Sequence, residues 1–123
     1  MITNFSIGDL VIDCADAERA CAFYAGLMGW EKIVAYDRPA VKTGCDMLIL
    51  FAETDPPYVP PVWPEEPGRQ QKQMHLDFIV DDLPSAVENA IRFGAVKAAV
   101  QYPGDFVTMI DTEGHPFCLR AKD

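Results

Sequence analysis

The chain has 123 residues, 50% of them hydrophobic, and its 19 acidic residues outnumber 10 basic ones to give a formal net charge of −9. This length fits a single domain, or two half-size units too small to bury separate cores. The acidic excess leaves no basic surface to neutralise phosphates, which excludes nucleic acid and anionic membranes as expected partners.

The compartment is indicated by the N-terminus and by the cysteines. The first residues show no basic segment followed by an apolar core, and no run approaches transmembrane length. The four cysteines show no C-x-x-C spacing and are expected to be reduced and mostly buried: Cys14, Cys21, Cys45 and Cys118. We therefore expect a cytoplasmic protein.

The chain opens with a predicted strand over residues 5–14, rich in Ile, Leu and Val. Side chains alternate across a strand, so Asp9 and Asp13 share one face. Asp16 is well placed to cap the next helix, because its carboxylate can accept from the free amides of the first turn. Gly29 is expected to end that helix, since glycine adopts positive φ at little cost.

Three strands are predicted after this helix, over residues 30–36, in a short segment between two turns, and over residues 46–53. Six prolines then crowd into residues 56–72, which excludes helix and sheet and predicts an extended connector. A simple linker has no need of Tyr58 and Trp63, so we expect these aromatics to pack against the domain or to line a pocket.

The second half repeats this order. A strand is predicted over residues 73–80, with His75 at its start and Asp77 on the same face. Asp82 is expected to cap a helix with Val87, Ala90 and Ile91 on its apolar face, and Gly94 to end it. Strands are then predicted over residues 96–101, 106–110 and 117–121, with a tight turn over 111–116.

An internal repeat is the main signal for the fold. An offset of 66 residues pairs Asp9 with His75 and Asp16 with Asp82, and it slips by one residue after the helix. The repeat predicts an α+β fold of two βαβββ modules, about residues 1–55 and 73–123, within a single domain spanning 1–123. We expect the modules to form a partly closed eight-stranded mixed sheet around a shared cavity, related by a pseudo-twofold axis.

The chain resembles the vicinal oxygen chelate superfamily, which includes glyoxalases, extradiol dioxygenases and bleomycin-resistance proteins, and is most similar to its small glyoxalase-like members. The resemblance covers nearly the whole chain and rests on four motifs: the opening strand and Asp16 before Phe23-Tyr24 and Leu27-Met-Gly-Trp30, His75-Leu-Asp, Asp81-Asp82-Leu before a helix ending at Phe93-Gly94, and the closing Asp111-Thr-Glu-Gly-His-Pro-Phe-Cys-Leu119. Proteins that share this fold differ widely in activity.

The resemblance implies positions for metal ligands. In metal-using members, ligands project from the start of each module's first strand and from each module's last strand. Here the opening positions are Asp9 and His75, and the final-strand glutamate is replaced by Cys118. The matching point in the first module is either Ala52 or Glu53, and the sequence leaves this open.

These substitutions argue against a tightly held metal. His75, Asp9 and Glu53 are weak metal candidates, because with Cys118 they do not match an octahedral nitrogen and oxygen site. Three inward-facing carboxylates, including Asp77, favour a cationic ligand or a divalent metal, which stays an alternative. The expected ligand-binding residues are Asp9, Glu53, Tyr58, Trp63, His75 and Cys118.

Two functions from different classes follow. The first is a protein that binds a small organic molecule in the cavity between the modules without a catalytic metal. The alternative is a metal-dependent lyase or dioxygenase with an atypical ligand set. The sequence identifies no catalytic residue and no substrate, and it leaves open whether the protein is an enzyme. Because half-domain modules gain from burying surface against a partner, and because the resemblance implies it, we expect a homodimer.

Overall fold

A computed structural model describes residues 4–122 of the chain. Met1–Thr3 and Asp123 lie outside the described residues. The prediction that the chain has no signal peptide rests partly on these first residues and so lies partly outside the described part. The chain contacts divide into two compact units, the first ending at Tyr58 and the second starting at Val59. No helix within residues 4–122 is long and apolar enough to cross a bilayer.

The first unit contains one helix and four strands. In chain order they are β1 (Asp9–Cys14), α1 (Ala17–Met28), β2 (Glu31–Ala35), β3 (Arg38–Lys42) and β4 (Leu48–Glu53). The sheet order is β1-β4-β3-β2, with β1 parallel to β4 and the other pairs antiparallel. The first βαβββ module is therefore confirmed.

The helix α1 begins and ends where the sequence predicts. The Asp16 carboxylate accepts a hydrogen bond from the Arg19 amide at 3.0 Å, and Gly29 adopts a φ of 69° at the C-terminus. Its apolar face is buried, and the Tyr24 ring stacks on Phe51 of β4 with ring centroids 5.8 Å apart. Burial of these aromatic surfaces stabilises the helix on its sheet.

The second unit repeats this topology. It contains β5 (Asp77–Val80), α2 (Leu83–Phe93), β6 (Val96–Lys97), β7 (Phe106–Ile110) and β8 (Pro116–Ala121), in the sheet order β5-β8-β7-β6. β5 is parallel to β8, and the remaining pairs are antiparallel. The α+β class with two βαβββ modules is confirmed, and its hydrogen-bonded ladders form two four-stranded mixed sheets, neither of them closed.

Helix α2 also has the predicted ends. Asp82 accepts from the Ser85 amide at 3.3 Å, and Gly94 ends the helix with a φ of 119°. Ala90 is fully buried as expected, but Ile91 is 50% exposed. The apolar face of α2 is therefore narrower than the sequence predicts.

The opening strand of each module starts later than predicted. The first strand begins at Asp9 rather than at residue 5, because its ladder to β4 begins there. The strand predicted over 73–80 begins at Asp77, so His75 precedes the strand instead of opening it. Its partner β8 begins with Pro116, which has no amide hydrogen, and the first bond between them joins the Cys118 amide to the Leu76 carbonyl.

The strand predicted over 96–101 has only two residues. Beyond them, the Gln101 side chain makes hydrogen bonds to β7 in place of the backbone. The Gln101 amide oxygen accepts from the Thr108 amide at 2.8 Å, and its nitrogen donates to the Thr108 carbonyl at 2.8 Å. The same nitrogen donates to the Ala98 carbonyl at 2.8 Å. Gln101 thus makes with β7 the two bonds that a strand residue would make.

The proline-rich segment forms neither helix nor strand, as predicted. Trp63 packs within the second unit, where its indole Nε1 donates to the Val100 carbonyl at 3.3 Å. The Tyr102 ring lies edge-on to the indole, with centroids 5.8 Å apart. The expectation that Trp63 packs against the protein is confirmed.

Candidate functional site

One face of the second unit's sheet carries a group of polar side chains. Residues in register on neighbouring strands share a face, and along one strand successive residues point to opposite faces, so residues two apart share a face. The register therefore sets two rows across β7, β8 and β5. The first row is Thr108, Cys118 and Asp77, and the second is Phe106, Arg120 and Ile79.

Four members of these rows, together with His75, line a pocket of about 190 Å³. Its lining combines an imidazole, a carboxylate, an aromatic ring, a thiol and a guanidinium, from His75, Asp77, Phe106, Cys118 and Arg120. The volume is below the range of roughly 300–1,000 Å³ typical of sites for drug-sized ligands. The pocket therefore fits a small molecule or one end of a larger one.

His75 and Asp77 form the polar pair of this pocket. The His75 Nε2 atom lies 3.0 Å from Asp77 Oδ1, and the side chains are 39% and 48% exposed. Water screens a pair this exposed, so its contribution to folding is small, about 0–1 kcal/mol. The pair is therefore available to a ligand at little cost in stability.

Cys118 lies beside this pair, and its thiol is held in the protonated form. Burial raises the pKa of Cys118, and the negative charge of Asp77 raises it further. A hydrogen-bonding contact with the Thr108 hydroxyl, at 3.6 Å, acts in the opposite direction. A protonated thiol is a poor nucleophile, so this environment favours a contact role for Cys118.

The three side chains also form a possible metal site. Donor atoms of His75, Asp77 and Cys118 all lie within 4.8 Å of one another. Nitrogen, oxygen and sulfur donors together fit a borderline cation such as Zn²⁺ and do not fit an octahedral oxygen-rich site for Mg²⁺ or Mn²⁺. Binding would have to displace the Cys118 proton.

Asp77 lines the pocket but is not among the ligand-binding residues expected from the sequence. Strand alternation already places it on the face of His75, and the structure brings the two into hydrogen-bond distance. Phe106 and Arg120 were also missed. Their position depends on the register between β7 and β8, which a single sequence does not reveal.

In the first unit, the expected site residues do not share a face. Asp9 opens β1 and is half-buried. Glu53 pairs in register with Cys14, which alternation places on the opposite face from Asp9. The Glu53 carboxylate accepts from the Ala17 amide at 3.0 Å, so it satisfies the first turn of α1.

The ladder register also answers which residue of the first unit corresponds to Cys118. Cys118 lies opposite Asp77, and the residue 66 positions before Asp77 is Val11. Val11 lies opposite Leu50, so the counterpart is Leu50 rather than Ala52 or Glu53. Leu50 is aliphatic and 2% exposed, and it supplies no metal donor.

The two aromatic candidates have different environments. Trp63 is not among the residues lining the pocket, and its indole is engaged by Val100 and by the Lys72 ammonium, 5.2 Å from the ring centroid. Tyr58 ends the first unit and is half-buried. His115 lies in the turn before β8, where its backbone amide donates to Asp111 Oδ1 at 2.9 Å.

Comparison with protein families gives one match. The family model described as a glyoxalase-like domain matches residues 9–120. A search of curated protein sequences finds no significant match. The family match spans both βαβββ modules and the segment that joins them.

Several solved structures share the fold at low identity. A glyoxalase/bleomycin resistance protein/dioxygenase family enzyme from Burkholderia phytofirmans is 20% identical, with 93% of this chain and 96% of that chain covered and a TM-score of 0.68. An antibiotic-binding protein from a Streptomyces species is 14% identical, with complete coverage of both chains and a TM-score of 0.65. A fosfomycin resistance protein from Mesorhizobium loti is 18% identical, covering 100% and 94%, with a TM-score of 0.64.

Proposed function

The chain belongs to the glyoxalase-like domain family of the vicinal oxygen chelate superfamily, and we propose that it binds a small organic molecule without needing a tightly held metal. The proposed site is the pocket around His75 and Cys118 in the second unit. We further propose that the protein acts in the cytoplasm, where its four free cysteines stay reduced.

The observation that carries this proposal is the lining of the pocket. Four of the five lining side chains carry a polar or charged group, and convergent polar groups of this kind fix the orientation of a bound small molecule. The imidazole of His75 and the carboxylate of Asp77 supply directional hydrogen bonds, and the Phe106 ring supplies apolar surface. The antibiotic-binding Streptomyces protein shows that this fold serves binding as well as catalysis.

The donor chemistry supports the absence of a tightly held metal. The cluster offers one imidazole, one carboxylate and one thiol, and the thiol must first lose a proton that burial retains. In the first unit, Leu50 occupies the position matching Cys118, and Glu53 serves the α1 N-terminus. The expected four-donor nitrogen and oxygen set is therefore not present in these residues.

The second candidate function is a metal-dependent lyase or dioxygenase. It is favoured by the cluster of His75, Asp77 and Cys118 donors, which is compact enough for a zinc-like ion. Such an ion would polarise a substrate oxygen. In that case His75 and Asp77 would act as ligands rather than as hydrogen-bonding groups for the substrate.

A thermal-shift screen against metabolites and antibiotics tests the proposal. A ligand that binds only the folded state at 100 times its Kd stabilises the protein by about 2.7 kcal/mol. We expect His75→Ala to abolish the shift and His115→Ala, the matched control outside the pocket, to retain it. A shift that survives His75→Ala would place the ligand elsewhere, and a screen without any hit would count against binding.

A further inference from the structure

Arg120 is the cation of this pocket that has no carboxylate partner. It forms no ion pair with any residue between 4 and 122, whereas Asp77 pairs with His75 and Lys72 pairs with Glu65 at 3.6 Å. Arg120 is exposed and lines the pocket, so its guanidinium can be reached by a ligand. A guanidinium presents donors in a fork that matches carboxylate and phosphonate oxygens.

The surroundings of Arg120 are apolar on both sides. Phe106 lies opposite it on β7 and Ile79 lies opposite it on β5, all on the same face of the sheet. Ile79 is 59% exposed. Cross-strand neighbours on one face lie about 4.5–5.5 Å apart at their Cβ atoms, so the cation stands between two apolar side chains.

The Phe106 ring is held in place by the preceding turn. A Cβ added at Gly104 would lie 2.7 Å from a ring carbon of Phe106, so only glycine leaves space for this ring position. Gly104 also has a φ of 138°, a conformation that other residues rarely adopt. The ring is therefore a positioned part of the pocket wall.

We propose, on the premise that this pocket is the ligand site, that it selects organic anions that carry an apolar group. The anionic head, a carboxylate or phosphonate, binds the Arg120 guanidinium. The apolar body lies against Phe106 and Ile79. The Asp77 carboxylate belongs to the row of Cys118 and is paired with His75, so it does not compete for Arg120.

The test uses four probes that share a phenyl group: phenylacetate, phenylphosphonate, phenylacetamide and phenethylamine. Backbone amide chemical shifts measured during titration give both the Kd and the location of binding. We expect both anions to bind at least about tenfold tighter than the amide, the factor for one charge-assisted hydrogen bond, with shifts centred on Cys118 and Arg120. The order of the two anions identifies the preferred head group.

Two variants assign the selectivity. Arg120→Gln is expected to reduce anion affinity to that of the amide, and Arg120→Lys to retain part of it, because the charge remains while the fork is lost. Arg92→Gln, the same change on an exposed arginine of α2, is the matched control and should leave every Kd unchanged. High salt should weaken the anions selectively.

The outcomes separate this inference from the proposed function. Equal affinity for anion and amide, or anion binding that survives Arg120→Gln, overturns the anion selectivity. If no probe shifts the pocket amides while a library ligand sensitive to His75→Ala does, the selectivity is again overturned and the binding function stands. If neither probes nor library ligands reach the pocket, both fail.

Discussion

The Nε2 atom of His75 lies 3.0 Å from Oδ1 of Asp77, joining two side chains from the same face of one extended segment. Donor atoms of both lie within 4.8 Å of a donor atom of Cys118. The same three groups are therefore shared by the two candidate functions, as hydrogen-bonding partners of a ligand or as ligands of a metal. Metal content separates these functions most directly.

We predict that protein purified without added metal contains well under one equivalent of Zn, Mn, Fe or Ni. The Cys118 proton and the mixed donor set oppose tight binding. Elemental analysis provides the measurement, and EDTA treatment should leave the ligand-induced thermal shift unchanged. Stoichiometric metal that disappears together with ligand binding in His75→Ala would establish the enzyme alternative instead.

The cysteines are predicted to differ in reactivity toward iodoacetamide. Cys45 is exposed, and the Thr43 hydroxyl, which it contacts at 3.2 Å, lowers the pKa of its thiol, so it should react first. Cys118 should react later and at higher pH. Cys14 and Cys21 are at most 1% exposed and should react only on unfolding. Peptide mass spectrometry after timed labelling gives the order.

The raised pKa of Cys118 also makes the free energy of unfolding depend on pH. The folded state keeps the thiol proton to higher pH than the unfolded chain does, so stability from this group is complete below the unfolded pKa. It is lost as pH rises through the folded pKa. Cys118→Ser should therefore flatten the alkaline loss of stability, and a Cys118→Ser profile as steep as wild type would contradict this.

Gln101→Ala is predicted to destabilise the second unit. It removes three side-chain hydrogen bonds and leaves the Thr108 amide, on a buried residue, without its acceptor. We expect a loss of about 1–3 kcal/mol in the free energy of unfolding, measured by urea denaturation. Gln71→Ala, on an exposed residue of the connector, is the control and should change stability little. Similar values for both variants would rule out Gln101 as a replacement for strand pairing.

Gly104→Ala is predicted to weaken both stability and ligand binding. The added methyl group would meet the Phe106 ring, and the positive φ is strained for alanine, a cost of about 1–3 kcal/mol. Gly44→Ala is the matched control, because nothing lies within 4 Å of its added Cβ. If the Gly104 variant binds the pocket ligand as tightly as wild type, the placement of Phe106 does not matter for binding.

We predict that the protein is a homodimer. Large apolar side chains are exposed on each unit, among them Val34 at 78% and Val96 at 62%, and association would remove such surface from water. Multi-angle light scattering at micromolar concentration measures the mass directly against the 13.7 kDa of one chain. A value equal to one chain would refute the prediction.

Local signals in the sequence predict most of the fold. Asp16 and Asp82, which are 66 residues apart, cap the two helices, and Gly29 and Gly94 end them, as the sequence predicts. Each of these features depends on residues a few positions apart, so a single sequence reveals them. Strand ends were less accurate, because a strand extends only as far as its partner pairs with it, as the late start of β5 shows.

The candidate site was also predicted only in part from the sequence. Strand alternation in the sequence placed His75 and Asp77 on one face, and the family resemblance pointed to Cys118. Only the tertiary structure showed that Arg120 and Phe106 complete the pocket, that Leu50 corresponds to Cys118, and that the Gln101 side chain replaces a strand. These facts depend on register between segments distant in the chain. A shift of two residues in register keeps every side chain on its face but changes its cross-strand neighbours, so alternation within one strand does not specify those neighbours.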